Sequence, residues 1–179
     1  FSNRLVAVGG LRTGYSSLAR QAWVDPRFSV AYKLENEGQF SFAAGRFSQL
    51  PDEKTRIHDT ELRNTSATHY ILNYFMVRNS RTIRAEAFYK NYDRLATWQG
   101  DLSAPRTMAP DGYGYARGVD VFYRDKKSIK STDFWITYSF IDSKRRFANY
   151  ATAVQPSFAP KHNGSVVAKH FVTSFKSQL

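Results

Sequence analysis

Residues able to carry chemistry are scattered along this chain rather than set at reactive spacings. Its four histidines, His58, His69, His162 and His170, lack the intervals that bring imidazoles together on one metal. No serine stands in a Gly-x-Ser-x-Gly elbow, and the absence of cysteine removes thiol catalysis, disulfides and cysteine-bound zinc together. Gly112, Gly114 and Gly118 lead into a strand-like pattern instead of a helix, so they do not form a loop that cradles phosphate. Asn64-Thr65-Ser66 and Asn163-Gly164-Ser165 match the glycosylation sequon, a match that arises readily by chance. The expectation is therefore no catalytic residue, no metal ligand set and no cofactor. Residues suited to contact remain. Trp98, Tyr113 and Tyr115 are candidates for touching a substrate, and Arg84, Glu86, Lys90 and Asp120 form a charged group. Trp98 falls in a long inter-strand segment, where stacking on a sugar-like ligand and plain loop packing both suit an indole.

The elements that must position these residues read as about eight strands, over 3–14, 26–35, 39–49, 67–77, 81–93, 112–125, 132–144 and 164–175. Each alternates apolar and polar residues, is rich in β-branched and aromatic side chains, and is bounded by turn formers; no helical period is convincing. The second segment sets Phe28, Val30, Tyr32 and Leu34 against Arg27, Ser29, Ala31 and Lys33. The fifth sets Ile83, Ala85, Ala87 and Tyr89 against Arg84, Glu86, Phe88 and Lys90. In the sixth, Gly114, Ala116, Gly118 and Asp120 share one face and Val119, Val121 and Tyr123 the other. The connections alternate in length: Asn36-Glu37-Gly38, 77–80 and 126–131 are short, whereas 15–25, 50–66, 94–111 and 145–163 are long. In an up-and-down array every second connection lies at the same end, so one end carries tight turns and the other long loops. Outer-membrane barrels have that asymmetry. A soluble β-sandwich also alternates and would bury the same apolar face against a second sheet, so both architectures stay open on pattern alone.

Composition bounds the partners. The 179 residues carry a net charge of +11, which raises nucleic acid or an anionic surface. The basic residues, however, gather at both ends of the strands. Arg27, Arg46 and Lys144-Arg145-Arg146 lie by the long loops and Lys126 and Lys127 by a short turn, which suits solvated rims and no nucleic acid. Aromatic residues make up 16% of the chain, and Tyr92, Tyr113, Tyr115 and Tyr138 near strand ends suit an interfacial girdle. There is no run of about 18 apolar residues and no charged-then-apolar leader. A spanning β-strand needs neither, and a mean hydropathy of −0.51 is compatible with one. The chain starts at Phe1 and stops at Leu179 within a strand-like run, so both ends read as cuts through a longer polypeptide.

Six stretches, in this order, carry a resemblance: Asp25-Pro26-Arg27-Phe28-Ser29-Val30-Ala31-Tyr32; Ala44-Gly45-Arg46-Phe47-Ser48-Gln49-Leu50-Pro51; His69-Tyr70-Ile71-Leu72-Asn73-Tyr74; Arg84-Ala85-Glu86-Ala87-Phe88-Tyr89-Lys90-Asn91-Tyr92-Asp93-Arg94-Leu95; Gly112-Tyr113-Gly114-Tyr115-Ala116-Arg117-Gly118-Val119-Asp120; and Trp135-Ile136-Thr137-Tyr138-Ser139-Phe140. Together they resemble the C-terminal barrel half of TonB-dependent outer-membrane receptors, especially those of the Bacteroidetes type. That resemblance implies an all-β, antiparallel meander forming part of a barrel of about 22 strands around an N-terminal plug. Residues 1–179 are then a partial barrel domain, with the plug and the remaining strands outside it. It implies a wall portion of a transporter that imports a scarce nutrient at the bacterial outer membrane, not an enzyme. The implied partners are the protein's own plug and TonB, outer-membrane lipid and lipopolysaccharide, and a surface lipoprotein. Arg84, Glu86, Lys90 and Asp120 would face the lumen or the plug, and the small residues beside Asp120 would leave room there. An isolated arc has open edges and a bare apolar face and is expected to self-associate.

Overall fold

Alternation sends successive side chains to opposite faces, and the backbone between them must find partners on neighbouring strands. The computed structural model describes every residue except 1, 2, 18, 36, 60, 61, 102, 106, 173–176 and 179. Its strands are β1 (Leu5–Ser16), β2 (Gln21–Lys33), β3 (Gly38–Gln49), β4 (Thr65–Arg78), β5 (Arg81–Gln99), β6 (Thr107–Asp125), β7 (Thr132–Arg146), β8 (His162–Val172) and a two-residue β9 (Ser177–Gln178). They form one sheet in the order β1-β2-β3-β4-β5-β6-β7-β8-β9, each antiparallel to its neighbour in the chain. The expected all-β meander is therefore the fold. The end of the eighth expected strand, 173–175, and the turn residue Asn36 lie outside the described residues.

Register carries the apolar parity across the whole sheet. Val30 faces Phe42, Phe42 faces Leu72, Leu72 faces Ala87, Ala87 faces Val119 and Val119 faces Phe140, so one apolar band crosses six strands. Among the described residues, nothing covers that band. Phe28 is 49% exposed, Leu72 51% and Val166 72%. The chain exposes 12093 Å², whereas a folded soluble chain of 20.5 kDa exposes about 8,800 Å². A soluble sandwich would bury this face against a second sheet; among the described residues there is none, and the sandwich reading falls.

Strand ends differ from the sequence expectation in one direction. β2, β5 and β6 run several residues further, so the long connections shrink to 17–20, 50–64, 100–106 and 147–161, and the first of these is as short as the turns. The reason is physical: beyond the apolar band a strand needs only backbone pairing, and Gln21–Asp25, with Ala22, Trp23 and Val24 in an unbroken apolar run, pairs with no alternation to announce it. Segment 50–64 also holds a one-turn helix, α1 (Glu53–Arg56). Pro26 lies inside β2, not at its start. The β2–β3 ladder stops beside it at Arg27 and Gly45. There the fully buried Asp25 carboxylate accepts hydrogen bonds from Ser48 N–H (2.9 Å) and Ser48 Oγ–H (2.7 Å), replacing what the ladder no longer supplies.

The opposite end is turned tightly. Arg78 pairs with Arg81, leaving Asn79 and Ser80 as a two-residue loop, both at positive φ (50° and 60°), which is the backbone a twisted hairpin demands. At the β6–β7 turn, Asp125 is 1% exposed and gathers Tyr123 Oη–H (2.7 Å), Arg81 Nε–H (2.8 Å) and the Lys127 and Ser128 backbone N–H groups (2.7 and 2.8 Å).

Candidate functional site

The polar face of the sheet is its concave face. Arg12 on β1, Trp23 on β2, Phe47 on β3, His69 on β4, Tyr92 on β5 and Arg145 on β7 line a single hollow of about 910 Å³. Strands that never touch can border one hollow only if the sheet curls towards that side, which leaves the apolar band on the convex side. Curling also crowds the inner side chains. Phe47 and His69 stack with ring centroids 4.5 Å apart, the Arg27 guanidinium lies 4.5 Å from the Phe47 centroid, and that of Arg145 lies 4.0 Å from Tyr92 and 5.6 Å from Phe158. Segment 147–161 helps hold this corner: Arg145 and Val154 exchange backbone hydrogen bonds (2.9 and 3.0 Å), and Ala148 bonds across to Ala96 and Trp98 (both 2.9 Å). α1 brings Arg56 to the rim, with Asp52 and Glu53 beside it.

The charged group read from sequence sits deeper on the same face. Glu86 lies opposite Asn73 on β4 and Asp120 on β6. It accepts hydrogen bonds from Arg84 Nη2 (3.1 Å) and Asn73 Nδ2 (3.3 Å). Lys90 Nζ lies 5.0 Å from the centroid of Phe88. Gly118 leaves less lumen space than expected, because the Phe88 ring lies over it: a Cβ there would stand 2.7 Å from Phe88 Cζ.

The three aromatic candidates are separated from this group. Trp98 lies within β5, opposite Met108, not in a loop. It borders a second hollow of about 720 Å³ with Tyr150, Asp111 and Arg146. Tyr113 and Tyr115 project from the convex side, in register with Arg146 and Lys144, and Tyr115 Oη–H donates to Asp142 (3.2 Å). The basic triplet at 144–146 is thereby split. Lys144 and Arg146 stand on the convex side and Arg145 inside, across from Gly114. Of the girdle candidates, Tyr92 also turns inward, while Tyr138 pairs with Val121 on the apolar band.

The hollow itself escaped the sequence reading. Its strand-borne members Arg12, Trp23, Phe47, His69, Tyr92 and Arg145 share nothing in sequence but inward parity, which becomes informative only once registers are known.

No protein-family model matches the chain, and no curated protein matches it significantly. Solved structures do. An FrpB iron transporter from Neisseria meningitidis (F3-3 variant) superposes with a TM-score of 0.74 at 10% identity, over 97% of this chain and 29% of its own. The F5-1 variant in its apoprotein form gives the same values. The ferric-catecholate import receptor Fiu from E. coli K12 superposes with a TM-score of 0.64 at 9% identity, over 86% of this chain and 23% of its own. At such identities the likeness is one of fold, and this chain spans under a third of the length of each.

Proposed function

We propose that residues 1–179 are a partial barrel domain, a portion of the wall of a TonB-dependent transporter that imports a scarce nutrient or ligand across the bacterial outer membrane. The observation that carries this reading is the uncovered apolar band on the convex side of a curled meander whose long connections share one end. Water disfavours such a band and hydrocarbon accepts it, while backbone pairing between strands satisfies the polar groups that lipid cannot. The matched solved structures, a transporter and an import receptor, support transport rather than catalysis as the class of activity.

Each surface then has a task. The convex band seals against lipid, and Tyr113 and Tyr115 stand with Arg117, Lys144 and Arg146 where lipopolysaccharide phosphates would lie. Inside, Arg84, Glu86, Lys90 and Asp120, of which Arg84 and Glu86 form an ion pair, offer charge to the protein's own plug, whose movement TonB would drive. Trp98, well away from the lumen group, suits contact with a ligand or with a surface lipoprotein above the membrane. The test uses the full-length protein in its own cells. It should fractionate with the outer membrane, migrate differently before and after boiling as barrels do, and lose uptake of its nutrient when TonB is deleted. Recovery in the soluble fraction with no such mobility shift would sink the proposal.

A further inference from the structure

The β6–β7 turn is tied down from within and from both sides. Asp125 Oδ1 accepts the Lys127 and Ser128 N–H groups (2.7 and 2.8 Å), and its Oδ2 accepts Ser128 Oγ–H (2.7 Å), which Arg81 Nη2 reaches in turn (2.8 Å). Lys126 N–H donates to Ser80 O of the neighbouring hairpin (3.1 Å), and Ser131 O accepts from Phe171 N–H on β8 (2.9 Å). Asp125 shares the parity of Val119, Val121 and Tyr123, so its side chain stands on the convex side, yet it is 1% exposed. The turn residues that bury it therefore fold over towards that side. What they present outward is Lys127, Ile129 and Lys130, all exposed, Ile129 by 53%. Arg78, in one row with Arg81 and Asp125, adds an exposed cation to the same face. The nearby carboxylates are already committed, Asp125 to Arg81 and Asp133, on the concave side, to Arg124.

We propose that this outward turn anchors an anionic glycerophospholipid of the leaflet that faces the periplasm. Arg78, Lys127 and Lys130 surround one apolar side chain, Ile129, which is the chemistry of a headgroup boundary: the cations meet phosphate oxygens while the isoleucine reaches the first carbons of the acyl chains. Continuity with the apolar band favours lipid over an acidic protein. The next row of the sheet is Met76, Ile83, Tyr123 and Ile136, the edge of that band, so a molecule held at the turn has apolar surface directly behind it. An acidic protein segment would match the cations and find no use for the row behind them. The hydrogen bonds to Asp125 fix the turn before any lipid arrives, so little ordering is left to oppose binding. Headgroup preference follows from the charge excess. A zwitterionic lipid would bring its own ammonium against these cations, whereas a phosphatidylglycerol brings net negative charge alone.

This inference rests on the reading of the convex band as lipid-facing, and the experiment separates the two. Full-length protein in detergent, shown folded by its heat-dependent mobility, is titrated with dioleoyl phosphatidylglycerol or dioleoyl phosphatidylcholine, and the lipid it retains is counted by native mass spectrometry. The phosphatidylglycerol should be retained in preference. Lys127→Gln combined with Lys130→Gln should weaken its retention about tenfold or more, while Lys54→Gln combined with Lys161→Gln, an equal charge change at the loop end, should leave it unchanged. Ile129→Ser should weaken both lipids, which a site for free phosphate would not do. Equal retention of the two lipids by a folded barrel, or an equal loss in the loop-end variant, overturns the anchor and leaves the barrel reading standing. If the turn variant keeps its phosphatidylglycerol but loses a crosslink to a periplasmic protein in cells, the occupant is a protein and the inference fails. Absence of the mobility shift in the unmodified protein would instead sink the barrel reading.

Discussion

Two buried aspartates do at the sheet's ends what its ladders cannot. Asp25 stands where Pro26 interrupts pairing and accepts both polar hydrogens of Ser48. Asp25→Ala would strand the Ser48 N–H in a buried site. It should cost about 1–3 kcal/mol, read as an earlier midpoint when the folded barrel is unfolded chemically in detergent. Equal stability would show that water reaches Ser48. The sequence placed Pro26 near a strand end but could not announce Asp25, because a carboxylate before a proline looks like any turn residue until Ser48 is brought against it. At the other end Ser80 holds a left-handed backbone with a side chain that disfavours it. Ser80→Gly should stabilise the β4–β5 hairpin by about 0.5–1 kcal/mol in the same assay.

Strands were legible where they cross the apolar band and obscure beyond it. Tyr70, Leu72, Tyr74 and Met76 announce β4 by parity alone. The outer reach of β5 and β6 does not, since Thr97, Trp98 and Gln99 pair with Ala109, Met108 and Thr107 through two register shifts that scramble alternation. Connection lengths nevertheless assigned the two ends, and that assignment can be checked. The chain lacks cysteine, so single replacements report position cleanly. Ser103→Cys, between β5 and β6, should react with a membrane-impermeant maleimide on intact cells, and Ser128→Cys, at the β6–β7 turn, only after lysis. The reverse pattern would invert the wall.

At the scale of the molecule, one face decides the solvent. Leu72→Arg, on the bare band, should cost about 2–4 kcal/mol in lipid, whereas Asn73→Arg, one residue along on the concave side, should cost under about 1 kcal/mol. Equal costs would mean that the band does not meet hydrocarbon. Without lipid, residues 1–179 should self-associate through that band and the free edges of the arc. Size-exclusion chromatography with light scattering in detergent-free buffer reads this directly, and a clean monomer would contradict it. The curvature that makes the hollow belongs to this scale too, which is why no window of sequence disclosed it. Strict neighbour-to-neighbour pairing has one more consequence, and it concerns assembly. Each strand finds its partner immediately before it in the chain, so the wall can lengthen one hairpin at a time, the last strand laid down serving as template for the next. The largest gaps to close are 50–64 and 147–161, and doubling a loop adds only about 0.6 kcal/mol of closure entropy. Growth should therefore slow only slightly at those two crossings, which divide the wall into β1–β3, β4–β7 and β8–β9.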